Sequence, residues 1–217
     1  MSDGTPALPA LAVLVSGRGS NLDAIFRAIE RDELHARVAL VVSSRADAPA
    51  LDIARQHGAE TRVIAPKSFA SRVEAGAAII AAIQEAHVQA VALAGYKPIL
   101  DASVIEAYPG RILNVHPSLL PAFAGGMAPK PQADALAAGV KVSGCTVHIV
   151  TADVDAGPIV AQAAVPVLDD DTVESLSARI LAEEHRLLPQ ALEWLLSGRL
   201  SIEHGHTWLA PVSPRQA

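Results

Sequence analysis

The chain has 217 residues, 51% of them hydrophobic and only 3% aromatic, with a formal net charge of −6. That length and composition suit one domain with an aliphatic core, as helices packed on a mainly parallel sheet require. An acidic balance without a Lys/Arg run argues against nucleic acid as a partner. The single cysteine, Cys145, permits no intrachain disulfide and spells out no zinc cluster. Apolar runs are too short or interrupted to span a bilayer, and Met1–Pro9 lacks the basic start of a signal peptide. A cytoplasmic protein is expected, with a flexible N-terminus over 1–9, one domain over 10–210 and a tail over 211–217.

Ala10–Val15 reads as a buried strand running into Ser16-Gly17-Arg18-Gly19-Ser20-Asn21. Leu22–Arg31 follows with helical spacing of its apolar residues. Strand, Gly-rich turn and helix N-terminus together suit phosphate, because glycines admit close backbone approach and orphan N–H groups favour an anion. Leu22 stands where a third glycine would complete the dinucleotide fingerprint, so a mononucleotide phosphate fits better than a pyrophosphate. Val38–Val42 is the second predicted strand, Pro49–His57 a helix, and Thr61–Ile64 a short third strand. Phe69–Ala86 is predicted helical and Val88–Ala94 a fourth strand. Asp101–Ala107 is a short helix with Asp101 as N-cap. After a fifth strand at Ile112 and a Gly/Pro loop over Pro121–Pro131, Gln132–Ala138 is predicted helical. Val142–Val150 and Ile159–Val167 are strands joined by a polar loop, Thr151–Pro158. Asp171-Thr172 caps a long helix, Val173–Leu196, before a short tail. The alternation predicts an α/β fold with a mainly parallel open sheet, a late antiparallel strand pair and a long final helix.

The chemistry is concentrated in Arg111–Pro121, RILNVHPSLLP. Asn114 and His116 are two apart and share one side of a strand that Pro117 terminates. An amide donor beside an imidazole at a strand end suits a reaction passing through an oxyanion. Asp155, in the loop between the last two strands, is the third candidate, since a carboxylate near an imidazole favours the imidazolium. His148 is expected to support the site from a neighbouring strand. His35, His57 and His87 are expected on the surface. His204 and His206 lack a third metal ligand, and Cys145 reads as a small buried strand residue.

SGRGSNL (Ser16–Leu22), ILNVHPSLLPAF (Ile112–Phe123), VSGCTVHIV (Val142–Val150) and DVDAGPIVAQ (Asp153–Gln162) together resemble the phosphoribosylglycinamide formyltransferases, folate-dependent enzymes of purine biosynthesis. The resemblance implies a Rossmann-like formyltransferase fold and formyl transfer from 10-formyltetrahydrofolate, a cosubstrate, to the amine of 5′-phosphoribosylglycinamide, without a metal. It assigns Gly19, Ser20, Asn21, Leu22, Asp23 and Glu184 to that substrate. Arg72, Lys97, Pro98, Ile99, Leu100 and Asn114 fall to the folate, and Asn114, His116 and Asp155 to catalysis. Its partners would be small molecules rather than nucleic acid or membrane, with a homodimer left open. Two departures stand out: Lys97-Pro98 replaces the family's usual Met-Arg, and the loop over Gly125–Gln132 lacks the family's usual histidine. The alternatives are a formyltetrahydrofolate deformylase, disfavoured because that family carries an additional N-terminal domain, or a formyltransferase for another amine. A third, of another class, is an NADP-binding Rossmann module using Gly17, Gly19 and Arg45.

Overall fold

The computed structural model describes residues 7–211. Most of the expected flexible N-terminus and nearly all of the expected tail lie outside the described residues. Five strands form the parallel part of a seven-stranded sheet: β1 (Ala10–Val15), β2 (Arg37–Ser43), β3 (Glu60–Val63), β4 (Ala90–Leu93) and β5 (Ile112–His116). The next two, β6 (Val142–Ile149) and β7 (Ile159–Pro166), are antiparallel, giving the order β3-β2-β1-β4-β5-β6-β7. The crossovers are α1 (Ser20–Glu30), α2 (Ala50–Gln56), α3 (Arg72–Glu85) and α4 (Ala102–Ala107). They are followed by α5 (Lys130–Ala137), ahead of β6, and by α6 (Val173–Leu196).

Both sheet faces are covered, as their sequences require. In β1, Leu11, Val13 and Val15 pack with α1 and α6 residues such as Ile25, Leu176 and Ile180. Ala12 and Leu14 pack on the other face with Ile79 and Ile83 of α3 and Val104 of α4. Leu113, Leu176 and Ile180 are fully buried, and truncating any one to alanine would cost about 2–5 kcal/mol. Strand order reverses between β1 and β4, and the crevice at such a switch point is where open α/β sheets bind ligands.

Several bounds differ from the sequence reading, among them the start of α5, at Lys130 rather than Gln132. The helix expected from Phe69 begins at Arg72, because Ser71 accepts from the Glu74 N–H at 3.1 Å while Glu74 reaches back to the Ala70 N–H at 3.2 Å. Of the pair Asp171-Thr172 read as the cap of α6, Thr172 is the N-cap, while Asp171 binds Arg179, which holds its carboxyl well below the usual carboxylate range. The short tail contains a hairpin, β8 (Leu200–Glu203) and β9 (His206–Leu209), docked on the sheet by Thr207 Oγ1 donating to the Ile159 carbonyl at 2.6 Å.

Candidate functional site

A cavity of about 500 Å³ opens beside the ends of β1, β4 and β5. At one end lies the turn Gly17-Arg18-Gly19. Gly19 has φ +84°, and a Cβ there would sit 2.7 Å from Ala50 Cβ, so glycine lets the turn lie against α2. Helix α1 starts without a side-chain cap, which leaves the orphan N–H groups of its first turn available to an anion. Ser16 Oγ ties three strand ends together, lying 2.6 Å from Ser44 Oγ and accepting from the Lys97 N–H at 2.8 Å. Arg18 is exposed, lines the cavity and has no ion-pair partner among the described residues.

Glu184 projects from α6 into this end of the cavity, only 7% exposed. Asn21 Nδ2 donates to its Oε2 at 2.8 Å. Burial pushes the Glu184 carboxyl up to about 7, against the Asn21 hydrogen bond that favours the ionised form.

The middle of the cavity is built by β5 and β6. Leu113 and Val115 face the α6 side of the core, so Asn114 and His116 face the opposite side of the sheet. The register pairs Asn114 with His148 and His116 with Thr146. Asn114 Nδ2 lies 3.0 Å from His148 Nε2, and His148 Nδ1 lies 3.0 Å from the Ile149 carbonyl. With the carbonyl accepting from Nδ1–H, Nε2 is free to accept from the amide, so a neutral His148 orients Asn114. Burial lowers the His148 pKa and favours that neutral form.

His116 is 3% exposed. Its Nε2 lies 2.9 Å from the Gly126 carbonyl and 3.2 Å from Asp155 Oδ2. Its Nδ1 lies 3.0 Å from Ser118 Oγ, whose own proton goes to the Ala122 carbonyl at 2.6 Å. Burial lowers the His116 pKa, outweighing Asp155 and the Gly126 carbonyl, both of which raise it. Asp155 thus favours the imidazolium, as its sequence position suggested, but the burial that opposes it is the larger effect. Yet both ring nitrogens face acceptors, so the surroundings can hold the imidazolium once a proton arrives. Asp155 sits at φ +54°, a conformation that aspartate tolerates better than most residues, and accepts from the Gly125 N–H at 2.8 Å. Thr146 secures the chain after His116 by donating to the Ser118 carbonyl at 2.7 Å and accepting from the Leu120 N–H at 3.0 Å.

Lys97, Pro98, Ile99 and Leu100 line the other end of the same cavity. Pro98 offers no N–H there. The cavity thus brings together Gly19, Ser20, Asn21, Glu184, Asn114, His116, Asp155 and the segment 97–100. Three assigned side chains lie elsewhere. Leu22 is fully buried in the core, Asp23 turns outward to Arg27 at 2.8 Å, and Arg72 is an exposed residue at the start of α3, 3.9 Å from Asp101. Helical geometry explains the first two, since successive side chains of the first turn of α1 fan out around its axis, aiming Leu22 at the core and Asp23 at solvent. His148 proves a direct partner of Asn114, while Gln132 and Ser177, which line the cavity, escaped the sequence reading. Only tertiary packing brings α5 and α6 to the site; alternation along β6 was the available signal for His148. Arg45 is engaged by Asp47 through two hydrogen bonds, which disfavours the NADP alternative. His204 and His206 are exposed hairpin residues, and no metal-holding group of three His, Cys, Asp or Glu occurs among the described residues.

A doubly wound sheet with this constellation at its crevice defines the class: the formyl transferase family matches residues 10–192. The chain is 37% identical over 199 residues to the phosphoribosylglycinamide formyltransferase of Escherichia coli (strain K12), spanning 92% of each protein. Superposition on the glycinamide ribonucleotide transformylase 1 of Symbiobacterium toebii gives a TM-score of 0.91 at 46% identity, covering 95% of this chain and 96% of that one. A formyltetrahydrofolate deformylase from Pseudomonas syringae superposes with a TM-score of 0.87 at 26% identity, over 95% of this chain and 67% of that one. The chain is 44% identical over 192 residues to the trifunctional purine biosynthetic protein adenosine-3 of Gallus gallus, covering 88% of this chain but about a fifth of that protein's length (19%). This chain belongs to the phosphoribosylglycinamide formyltransferase family. Among the described residues no helix is long and apolar enough to cross a membrane.

Proposed function

We propose that residues 10–210 form a single catalytic domain that transfers the formyl group of 10-formyltetrahydrofolate to the amine of 5′-phosphoribosylglycinamide. The observation that carries this reading is the meeting of Asn114, His116 and Asp155 beside an uncapped, glycine-preceded helix N-terminus in one cavity. The α1 start binds the substrate phosphate, with Arg18 adding a cation at the rim. Glu184 accepts hydrogen bonds from the ribose. Folate lies along Lys97–Leu100.

The glycinamide amine attacks the formyl carbon and the carbonyl oxygen becomes an oxyanion. Asn114 and His116 donate to it, a contribution of about 3–4 kcal/mol for one well-placed donor. The Gly126 carbonyl occupies an acceptor position on His116 Nε2 that the reacting oxygen takes over. The attacking amine loses a proton as the folate nitrogen leaves and gains one. His116, neutral at rest but surrounded by acceptors, suits that transfer, and Asp155 steadies its charged form. On this reading the partners are two small molecules and the compartment is the cytoplasm.

Incubation with both substrates tests the proposal. Formylated glycinamide ribonucleotide and tetrahydrofolate should appear in equal amounts by mass spectrometry. Release of free formate without the acceptor amine would instead identify a deformylase, and transfer only to another amine would reassign the substrate.

A further inference from the structure

Five buried side-chain atoms lack a hydrogen-bond partner among the described residues, and four belong to residues lining the cavity: Asn21 Oδ1, Tyr96 OH, Gln132 Oε1 and Ser177 Oγ. Gln132 is the most deeply buried of these, at 1% exposure. A buried carboxamide oxygen to which no protein group among the described residues donates carries a desolvation cost that a ligand donor in the cavity would offset. Gln132 lies in the first turn of α5, whose Ala135 and Leu136 pack in the same core cluster as Leu176 and Ile180 of α6. On α6, Ser177, Leu181 and Glu184 follow at helical spacing and all line the cavity. Asn21 joins this group through its bond to Glu184.

These groups are rich in acceptors: two amide oxygens, a carboxylate and a hydroxyl. A ligand that satisfies them must bring several donors on neutral or cationic groups, and a sugar diol does so. We infer that Gln132, with Ser177, positions the sugar hydroxyls of the ribonucleotide substrate and sets the preference for ribose. This rests on the proposed function and adds specificity residues to it. Gln132 is uncharged throughout the working pH range, so its contribution does not vary with pH, unlike that of Glu184.

The test compares the wild type with Gln132→Met, which keeps length and bulk, and with Ser177→Ala. It reads kcat, KM for each substrate, binding of glycinamide ribonucleotide alone by calorimetry, and Tm. Loss of one neutral hydrogen bond predicts about a tenfold rise in KM and Kd for the ribonucleotide in Gln132→Met. The kcat and the KM for folate should stay within about twofold, on the same reasoning that the bond is equal in ground and transition states. Tm should hold or rise, because no native hydrogen bond of the free protein is removed. The 2′-deoxy or 3′-deoxy analogue lacking the hydroxyl that Gln132 holds should bind wild type and variant alike. Unchanged ribonucleotide affinity in both variants, or an equal loss for every analogue, overturns the inference. A wild type that formylates no glycinamide ribonucleotide refutes the proposed function itself, a result separable from the variant comparison.

Discussion

Replacing Glu184 with glutamine separates what its carboxylate does to the fold from what it does for the substrate. The carboxyl is raised from an ordinary 4.5 to about 7 by burial. That displacement corresponds to about 3 kcal/mol favouring the neutral form, at roughly 1.4 kcal/mol per pH unit. The folded pKa exceeds the unfolded one, so the folded state holds the proton more tightly between pH 4.5 and 7. Stability from this group is therefore fully present below 4.5 and lost as pH rises through 7. Glu184→Gln keeps an oxygen to accept from Asn21 Nδ2 and removes the ionisation. Its new, unpaired amide N–H offsets about 1 kcal/mol at every pH. At pH 8 the variant should be more stable by about 2 kcal/mol, or roughly 4–8 °C in Tm for a chain of this size. At pH 5 the two proteins should nearly coincide. Thermal and urea unfolding at pH 5, 6.5 and 8 measure this directly. A stability difference that stays flat across that range would refute the claim that burial disfavours the carboxylate. The functional counterpart follows from the proposed ribose contact: wild-type KM for the ribonucleotide should fall about tenfold from pH 6 to 8, as one group of pKa about 7 deprotonates, and lose that dependence in the variant.

Asn114→Ala or His116→Ala should lower kcat by at least about a hundredfold with the fold intact, as loss of an oxyanion donor does, while near wild-type turnover would remove that residue from the mechanism. A Cβ at Gly157 would lie 1.9 Å from the Ile149 carbonyl, so Gly157→Ala must displace the loop that carries Asp155. A shift of about 1 Å predicts roughly a hundredfold loss of kcat, and a crystal structure of an active Gly157→Ala protein with Asp155 unmoved would contradict it. Arg18→Ala should raise the ribonucleotide KM about two- to fivefold in dilute buffer and less in 0.5 M salt, as an exposed cation contributes up to about 1 kcal/mol. An effect insensitive to salt would point to packing instead.

The buried parallel strands were legible because each is a short apolar run bounded by Gly, Ser or Pro, and β1 has the boundaries read from its residues. The pairing of Asn114 with His116 was legible too, since alternation and Pro117 suffice to put both at a strand end. The start of α3 was written in Ser71-x-x-Glu74, a capping signature masked by the apolar Phe69 just before it. The β8–β9 hairpin was not legible: its strands are four residues each and largely exposed, so no periodicity marks them. The balance at His116 was hidden for another reason. Alternation gives side, not depth, and only the folded structure shows burial outweighing the carboxylate. Gln132 and Ser177 reach the cavity from segments whose sequences read simply as helices.

The antiparallel pairing of β5 with β6 ties the centre of the site to a tolerance for insertions and deletions. Because His148 stands directly across from Asn114, removing one residue upstream within β6 would bring Ile149 into that place, and adding one would bring Val147, either turning the imidazole to the opposite side. The exposed turn of the β8–β9 hairpin, remote from the cavity, can lengthen or shorten in descendants of this gene without touching the chemistry. β6 has no such freedom, and its residue count should drift less than its side chains do.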